Sequence, residues 1–377
     1  MRNMRNRFAI RSGAGRDRRA WAQCVRHAVC AVALAVTVSG CSLHAVTGDL
    51  MADYATDHFI PEMMGYGDPT TACAAGMAFG PFLAGYSRVI DEPNAALVPT
   101  VLSAGLCDEM SAWEQNLRSA RAIRAGKAAE AKDARVAEQR YRAAAARRFY
   151  EAYQRTERLF GKLDGQCPEF DSEHAELVFL LGMMGAVQGV ANDRAAEGAV
   201  DIPLDVPRKA ERGLKCLNNE RWWHVPAAFR AAIWATVPGA APEGVDPWSV
   251  IADAAEKGAA QGVRLAYAIY VQAAAGAGKE DRVRQAIAQQ AASMAKVPAH
   301  AKWRTIDALA RLESLAISDQ LWTKAEGHRT PFGRFGELPG GATDAESDDE
   351  DDDLLDDEDL GLAEPPHNAA VAQRRPQ

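Results

Sequence analysis

The sequence predicts an all-α chain, and three observations carry that prediction. Alanine is abundant, runs of strand-favouring residues are scarce, and apolar residues return every third or fourth position between Pro, Gly, Asp and Asn breaks. With 48% apolar and 25% charged residues over 377 positions, the chain can bury a sizeable core in one large domain or two. Antiparallel helix pairs in series would give a tetratricopeptide-like α-solenoid or bundle.

Residues 1–40 read as an address. Arg2, Arg5, Arg7, Arg11, Arg16, Arg18, Arg19 and Arg26 precede an apolar run from Ala28 to Val38, the pattern of a secretory signal peptide. The run is too short to span a bilayer as a permanent helix. It ends in Val38-Ser39-Gly40-Cys41, which resembles a bacterial lipobox, where the thiol is acylated and the chain is cut just before it. Each buried methylene of the acyl chains contributes about 0.8 kcal/mol, so two or three chains would anchor the protein firmly. Ser42 rather than Asp after the lipidated Cys41 favours, by resemblance to Gram-negative lipoproteins, an outer-membrane location facing the periplasm. No other stretch of eighteen apolar residues is read in the sequence, which makes the lipid the only expected anchor.

The helices of the body, residues 41–323, follow from their breaks. Asp68-Pro69-Thr70 is a cap with Pro in the first turn, and Ala74, Met77, Ala78, Phe82 and Tyr86 share a face of the helix that runs to Ile90. Asp91-Glu92-Pro93-Asn94 interrupts it, and a second helix is expected from about Ala95 to Asn116. So short a connection makes the two antiparallel. Lys127 to Phe160 contains neither Pro nor Gly, Gly126 standing just before it, and would be about 50 Å long. Its nine Lys or Arg against five Asp or Glu suit a solvated structural face, or a docking face for an acidic partner.

Glu173 to Asn192 is the most apolar helix, and Gly182, Gly185 and Gly189 would let a neighbour approach closely. Asp193 to Val206 connects it to a short helix, Pro207 to Leu217, followed by Ala227 to Thr236. After a Pro/Gly linker, three helices are expected at Pro247 to Ala275, Lys279 to Lys296 and Ala299 to Trp322. Residues 324–343 read as linker and 344–377 as a disordered acidic tail, whose run from Asp344 to Asp359 lacks the spacing of a calcium loop.

Charge follows the same divisions. Of the formal −8, residues 1–40 contribute +7 and residues 344–377 contribute −11, so residues 41–343, the body with its linker, carry only −4. A nearly neutral body excludes nucleic-acid binding driven by bulk charge. Besides the lipidated Cys41, four cysteines remain in the body: Cys73, Cys107, Cys167 and Cys216. In an oxidising compartment they allow three connectivities, of which Cys73 with Cys107 and Cys167 with Cys216 is the simplest. A zinc site competes, although no Cys-x2-Cys or His-x3-His spacing accompanies them.

Three stretches resemble the T-component (TatT) lipoproteins of tripartite ATP-independent periplasmic (TRAP) transporters. They are Cys41 with the helix, Pro93-Asn94 break and helix of Asp68 to Leu97; the basic helix Lys127 to Phe160; and the end of the body. There, Ala266-Tyr267-Ala268 is followed by Asp307-Ala308-Leu309-Ala310-Arg311, Leu315 and Asp319-Gln320-Leu321-Trp322. The resemblance implies a tetratricopeptide-like lipoprotein, a homotrimer with a central pore, and a partnership with a periplasmic substrate-binding protein. It also implies a non-enzymatic role in which a small organic acid or a hydrophobic ligand is held or passed along. The alternative is an outer-membrane helical-repeat scaffold for other envelope proteins.

No catalytic constellation, metal site or cofactor motif emerges. Gly276-Ala277-Gly278-Lys279 lacks both the earlier Gly and the following hydroxyl of a phosphate loop, and His174 lacks a second His. Aromatic residues offer the best ligand contacts: Trp222, Trp223, Trp234, Trp248 and Trp303, with Arg264 or Arg304 as counter-charges for an amphipathic acid. Core packing between helix pairs is the competing reading of the same residues.

Overall fold

Caps and prolines place the helix starts where the residue pattern requires them. The computed structural model describes residues 43–162 and 166–340; the signal segment, Cys41 and the acidic tail lie outside the described residues. Among the described residues there are eleven helices and no strand. The first, α1, is one rod: α-helical over 43–54, π-helical over Ala55–Phe59, and α-helical again over Ile60–Tyr66. Pro61 has no N–H to donate, and the wider π turn just before it accommodates the ring.

Helix α2 (Pro69–Gly85) is capped by Asp68, whose carboxylate accepts from the Thr70 N–H at 2.8 Å. Then follow α3 (Asn94–Arg124), α4 (Ala128–Phe160) and α5 (Glu173–Ala195), the last capped by Ser172. Short helices α6 (Val206–Leu214) and α7 (Val225–Thr236) lead to α8 (Pro247–Ala260), α9 (Leu265–Gly276), α10 (Glu280–Lys296) and α11 (Arg304–Ala325).

Consecutive helices pack on one another, most extensively α3 on α4 and α4 on α5. The glycines of α5 face α4: a Cβ at Gly182 would overlap the Thr156 side chain, and one at Gly185 would sit 2.8 Å from the Phe149 carbonyl oxygen. By length and composition α5 could cross a bilayer, contrary to the expectation of no second apolar stretch, but 72% of its most apolar window is buried inside the protein. It is the central core helix, contacted by α3, α4 and α6. The last helix does more than stack on its neighbour: α11 packs against α9 and also against α1, α2 and α3. A solenoid repeat touches only adjacent repeats, so this return ties the last described helix to the first three around a common interior.

Both expected cysteine pairs are at bonding distance. Cys73 on α2 and Cys107 on α3 have Cα atoms 5.2 Å apart, and Cys167 and Cys216 are 5.3 Å apart, joining the segment before α5 to the end of α6.

Three features differ from the expected helices. The single helix over Pro247 to Ala275 is two, because Gly262 adopts φ +78° and accepts from the His300 N–H at 3.0 Å. A Cβ at Gly262 would lie 2.7 Å from the Pro298 carbonyl oxygen, so this turn requires glycine. Helix α1 precedes the first expected helix altogether. Residues 326–340, expected as linker, run back over α11 and α10: Trp322 Nε1 donates to the Glu337 carbonyl at 3.2 Å and Arg284 to that of Pro339 at 2.7 Å. These bonds are made to backbone groups, which residue composition does not advertise.

Candidate functional site

Where α11 returns to the first helices it leaves a gap between them. The gap is an apolar cavity of about 70 Å3 that widens into an open mouth, walled by α1, α2, α3, α4, α5 and α11. Phe59, Ile60, Met63 and Met64 come from the π turn of α1 and the helix after it, so the irregular turn forms part of the wall. Leu102, Leu106, Phe149, Leu181, Met184, Ile306 and Leu309 complete an apolar lining, with half-buried Met63, Ala72 and Ala75 at its edge. Gly76 keeps α2 close to α3, since a Cβ there would lie 2.5 Å from the Thr100 carbonyl oxygen.

The two ends of the cavity differ. On α11 the lining runs from Thr305 to Glu313, about 12 Å along the helix. Thr305 accepts from the Gly67 N–H at 2.8 Å and donates to the Met63 carbonyl at 2.5 Å, which closes the apolar end against α1. At the other end Glu109 of α3, Gln188 of α5 and Glu313 of α11 converge, and both carboxyls are buried, at 5% and 6% exposure. Glu109 accepts from Asn192 at 2.9 Å and from Arg142 at 3.3 Å. Glu313 accepts from Gln272 at 3.0 Å, and Gln188 donates to the same Gln272 at 3.4 Å.

Burial raises the pKa of both acids, for different net reasons. At Glu109 desolvation dominates and is partly offset by the Arg142 charge and the Asn192 hydrogen bond. At Glu313 desolvation and then the neighbouring Glu109 charge act in the same direction, and its carboxyl is held well above the ordinary range. Of the two, Glu313 has the environment that most favours a neutral acid.

The aromatic residues expected to contact a ligand lie elsewhere. Trp222, Trp223 and Trp303 form one cluster with ring centroids 4.9 to 6.0 Å apart, all buried, between α7, α8 and the Ala301–Trp303 turn. Trp223 and His224 both hold positive φ, at 51° and 59°, a costly backbone for non-glycine residues that brings both indoles inward. The side chain of Asn219 supports that bend, bonding His224 Nδ1 and the Ala227 N–H. Trp234 and Trp248 lie at the periphery under Arg230 and Arg282, at 4.9 and 5.2 Å from the ring centres. None of the five lines the cavity described above, though Trp303 borders a separate, more open cleft with His174 and Lys302.

Arg264 is committed internally. It pairs with Asp307 at 2.9 Å, donates to Ser293 and to the Val297 carbonyl, and is 1% exposed. Arg304 donates to the Gly65 carbonyl at 2.7 Å. Much of the basic face of α4 is likewise turned inward: Arg142 meets Glu109, Arg148 meets Asp108, and Arg155 meets Glu92 and Glu151.

Sequence reasoning missed Glu109 and Glu313. Each is a single acid on an otherwise apolar helical stripe, a usable signal only when both helices are known to face one interior. A second overlooked feature is on α1, where Leu43, Val46, Leu50 and Tyr54 are 55% to 66% exposed. Their spacing places them on one side of the helix, opposite Gly48 and Ala55, which pack inward. No protein-family model, characterised protein or solved structure matches this chain.

Proposed function

We propose that this protein is a non-enzymatic, lipid-anchored carrier on the periplasmic side of the outer membrane, similar in role to the T-component of a tripartite ATP-independent periplasmic transporter. It would hold a hydrophobic solute between its helices and exchange it with a soluble substrate-binding protein, in the tetratricopeptide-like, trimeric arrangement that the resemblance implies. The observation that carries this reading is the six-helix apolar cavity with polar groups gathered at one end. Such a cavity supplies apolar area for affinity and a few fixed hydrogen-bonding groups for orientation, the usual composition of a small-molecule site.

The exposed stripe of α1 supports the anchored state. It begins two residues after Cys41, so acyl chains in the bilayer would hold Leu43 and Val46 against the interface. Tyr54 at the far end has the amphipathic ring that such interfaces favour.

Displacement of an environment-sensitive apolar dye from the protein with Cys41→Ser, free of detergent, tests the carrier reading. Aliphatic solutes should displace the dye, and Met184→Trp, which fills the cavity, should abolish dye uptake while leaving the fold intact. Unchanged dye binding in that variant, together with a strictly monomeric protein that captures no substrate-binding protein from native membranes, would overturn it.

A further inference from the structure

If the cavity holds a ligand, as proposed above, its polar end also specifies the ligand's head group. Two carboxyls reach that end, and only one has a cationic partner: Arg142 serves Glu109. Glu313 is bonded through Oε2 to the neutral amide of Gln272, and among the described residues no Lys, Arg or His pairs with it. Its Oε1 accepts no hydrogen bond there, and Gln188 uses its amide nitrogen on Gln272, which leaves its carbonyl oxygen as a further acceptor. The cavity end therefore presents a surplus of acceptors and one uncompensated acid, above walls made of Phe59, Leu106, Leu181, Met184 and Ile306.

We propose that the cavity binds hydrophobic amines in their ammonium form, with the head group seated among Glu313, Glu109 and Gln188 and the apolar body extending toward Phe59 and Ile306. An ammonium brings three N–H donors to Glu313 Oε1, Glu109 Oε2 and the Gln188 side-chain carbonyl, the oxygens that accept no other hydrogen bond, and supplies the positive charge that ionised Glu313 lacks. A carboxylic acid of the same length would place a third acid beside two buried ones, where like charges within a few ångströms oppose each other. An alcohol fills the apolar volume with one donor and leaves Glu313 uncompensated.

Calorimetric titration of the Cys41→Ser protein at neutral pH with n-octylamine, n-octanol and sodium octanoate separates these cases. Octylamine should bind about ten times more tightly than octanol, and octanoate more weakly than octanol. Glu313→Gln should bring octylamine to the affinity of octanol while leaving octanol binding unchanged, and retained octanol binding shows that the variant is folded. Octanoate binding as tightly as octylamine, or an amine preference that survives Glu313→Gln, overturns the head-group assignment. Equal binding of all three leaves the cavity a ligand site and refutes only its preference; no binding of any of them refutes the carrier reading as well.

Discussion

Two buried ionic clusters in this protein contain the same kinds of residue and behave differently. Around Arg264 one guanidinium meets one carboxylate, Asp307, and its remaining N–H groups reach Ser293 and the Val297 carbonyl. Around Arg142 one guanidinium must serve Glu109 while Glu313 stands beside them with only an amide. The first cluster is neutral, fully bonded and buried; the second has one acid too many and opens on an apolar cavity. A balanced, fully bonded pair locks α9 to α11 and has no capacity left for a ligand. An unbalanced one costs stability and keeps unused acceptors, which is the condition of a binding site.

The largest expected effect breaks the balanced cluster. Arg264→Ala would leave Asp307 buried without its partner, and urea unfolding should show a loss of about 3 to 5 kcal/mol. An Arg264→Ala protein as stable as the wild type would show that water reaches Asp307 and that the two clusters are not distinct in kind.

Next comes the covalent tie beside the cavity. Replacing Cys73 and Cys107 by Ala removes a crosslink over 34 residues joining two walls of the cavity. In the chain-entropy account this costs about 3 to 4 kcal/mol. Thermal unfolding with and without reductant checks it, and reductant should have no effect on this bond in the variant.

A smaller effect, of opposite sign, is expected at the unbalanced cluster. The raised pKa of Glu313 means that the folded state retains a proton which the unfolded state releases sooner. Stability from this group is therefore fully present below the ordinary carboxylate range and is lost as pH rises through the raised folded value. Glu313→Gln should remove that fall and stabilise the protein at neutral pH by about 1 to 3 kcal/mol. Parallel pH profiles of melting temperature for the two proteins would contradict the assignment.

The smallest effect on stability belongs to the outer face of α1. Leu50→Ser should change the unfolding free energy by less than about 0.5 kcal/mol, since the side chain is 65% exposed. The same change should weaken retention of the lipidated protein on vesicles under high-salt washing. Equal retention would mean that the stripe does not lie on the bilayer.

Local chemistry made much of the fold legible. Asp68, Ser172 and Asp246 start helices because their carboxylate or hydroxyl groups accept from N–H groups within three residues, so the signal is contained in a tetrapeptide. That some helix approaches α5 closely was likewise visible in Gly182, Gly185 and Gly189, which share one helical face, although only the structure identifies that neighbour as α4. Helix α1 was obscured because its outer face is as apolar as its inner one, and the break at Gly262 because a lone Gly in an Ala-rich helix is tolerated as often as it ends one.

By itself, the sequence determined the all-α class and nearly all helix starts, because each depends on residues close in the chain, and it narrowed the cysteine partners to three pairings, among which the structure chose. Only the tertiary structure decided which buried groups matter. Glu109 and Glu313 are 204 positions apart and became neighbours because α11 folds back onto α3. Trp222, Trp223 and Trp303, the most conspicuous residues in the sequence, closed on one another in the core, because a large ring is stabilised wherever it finds apolar contacts. A carboxyl acquires its special chemistry from what surrounds it, and that surrounding is assembled by contacts between distant parts of the chain.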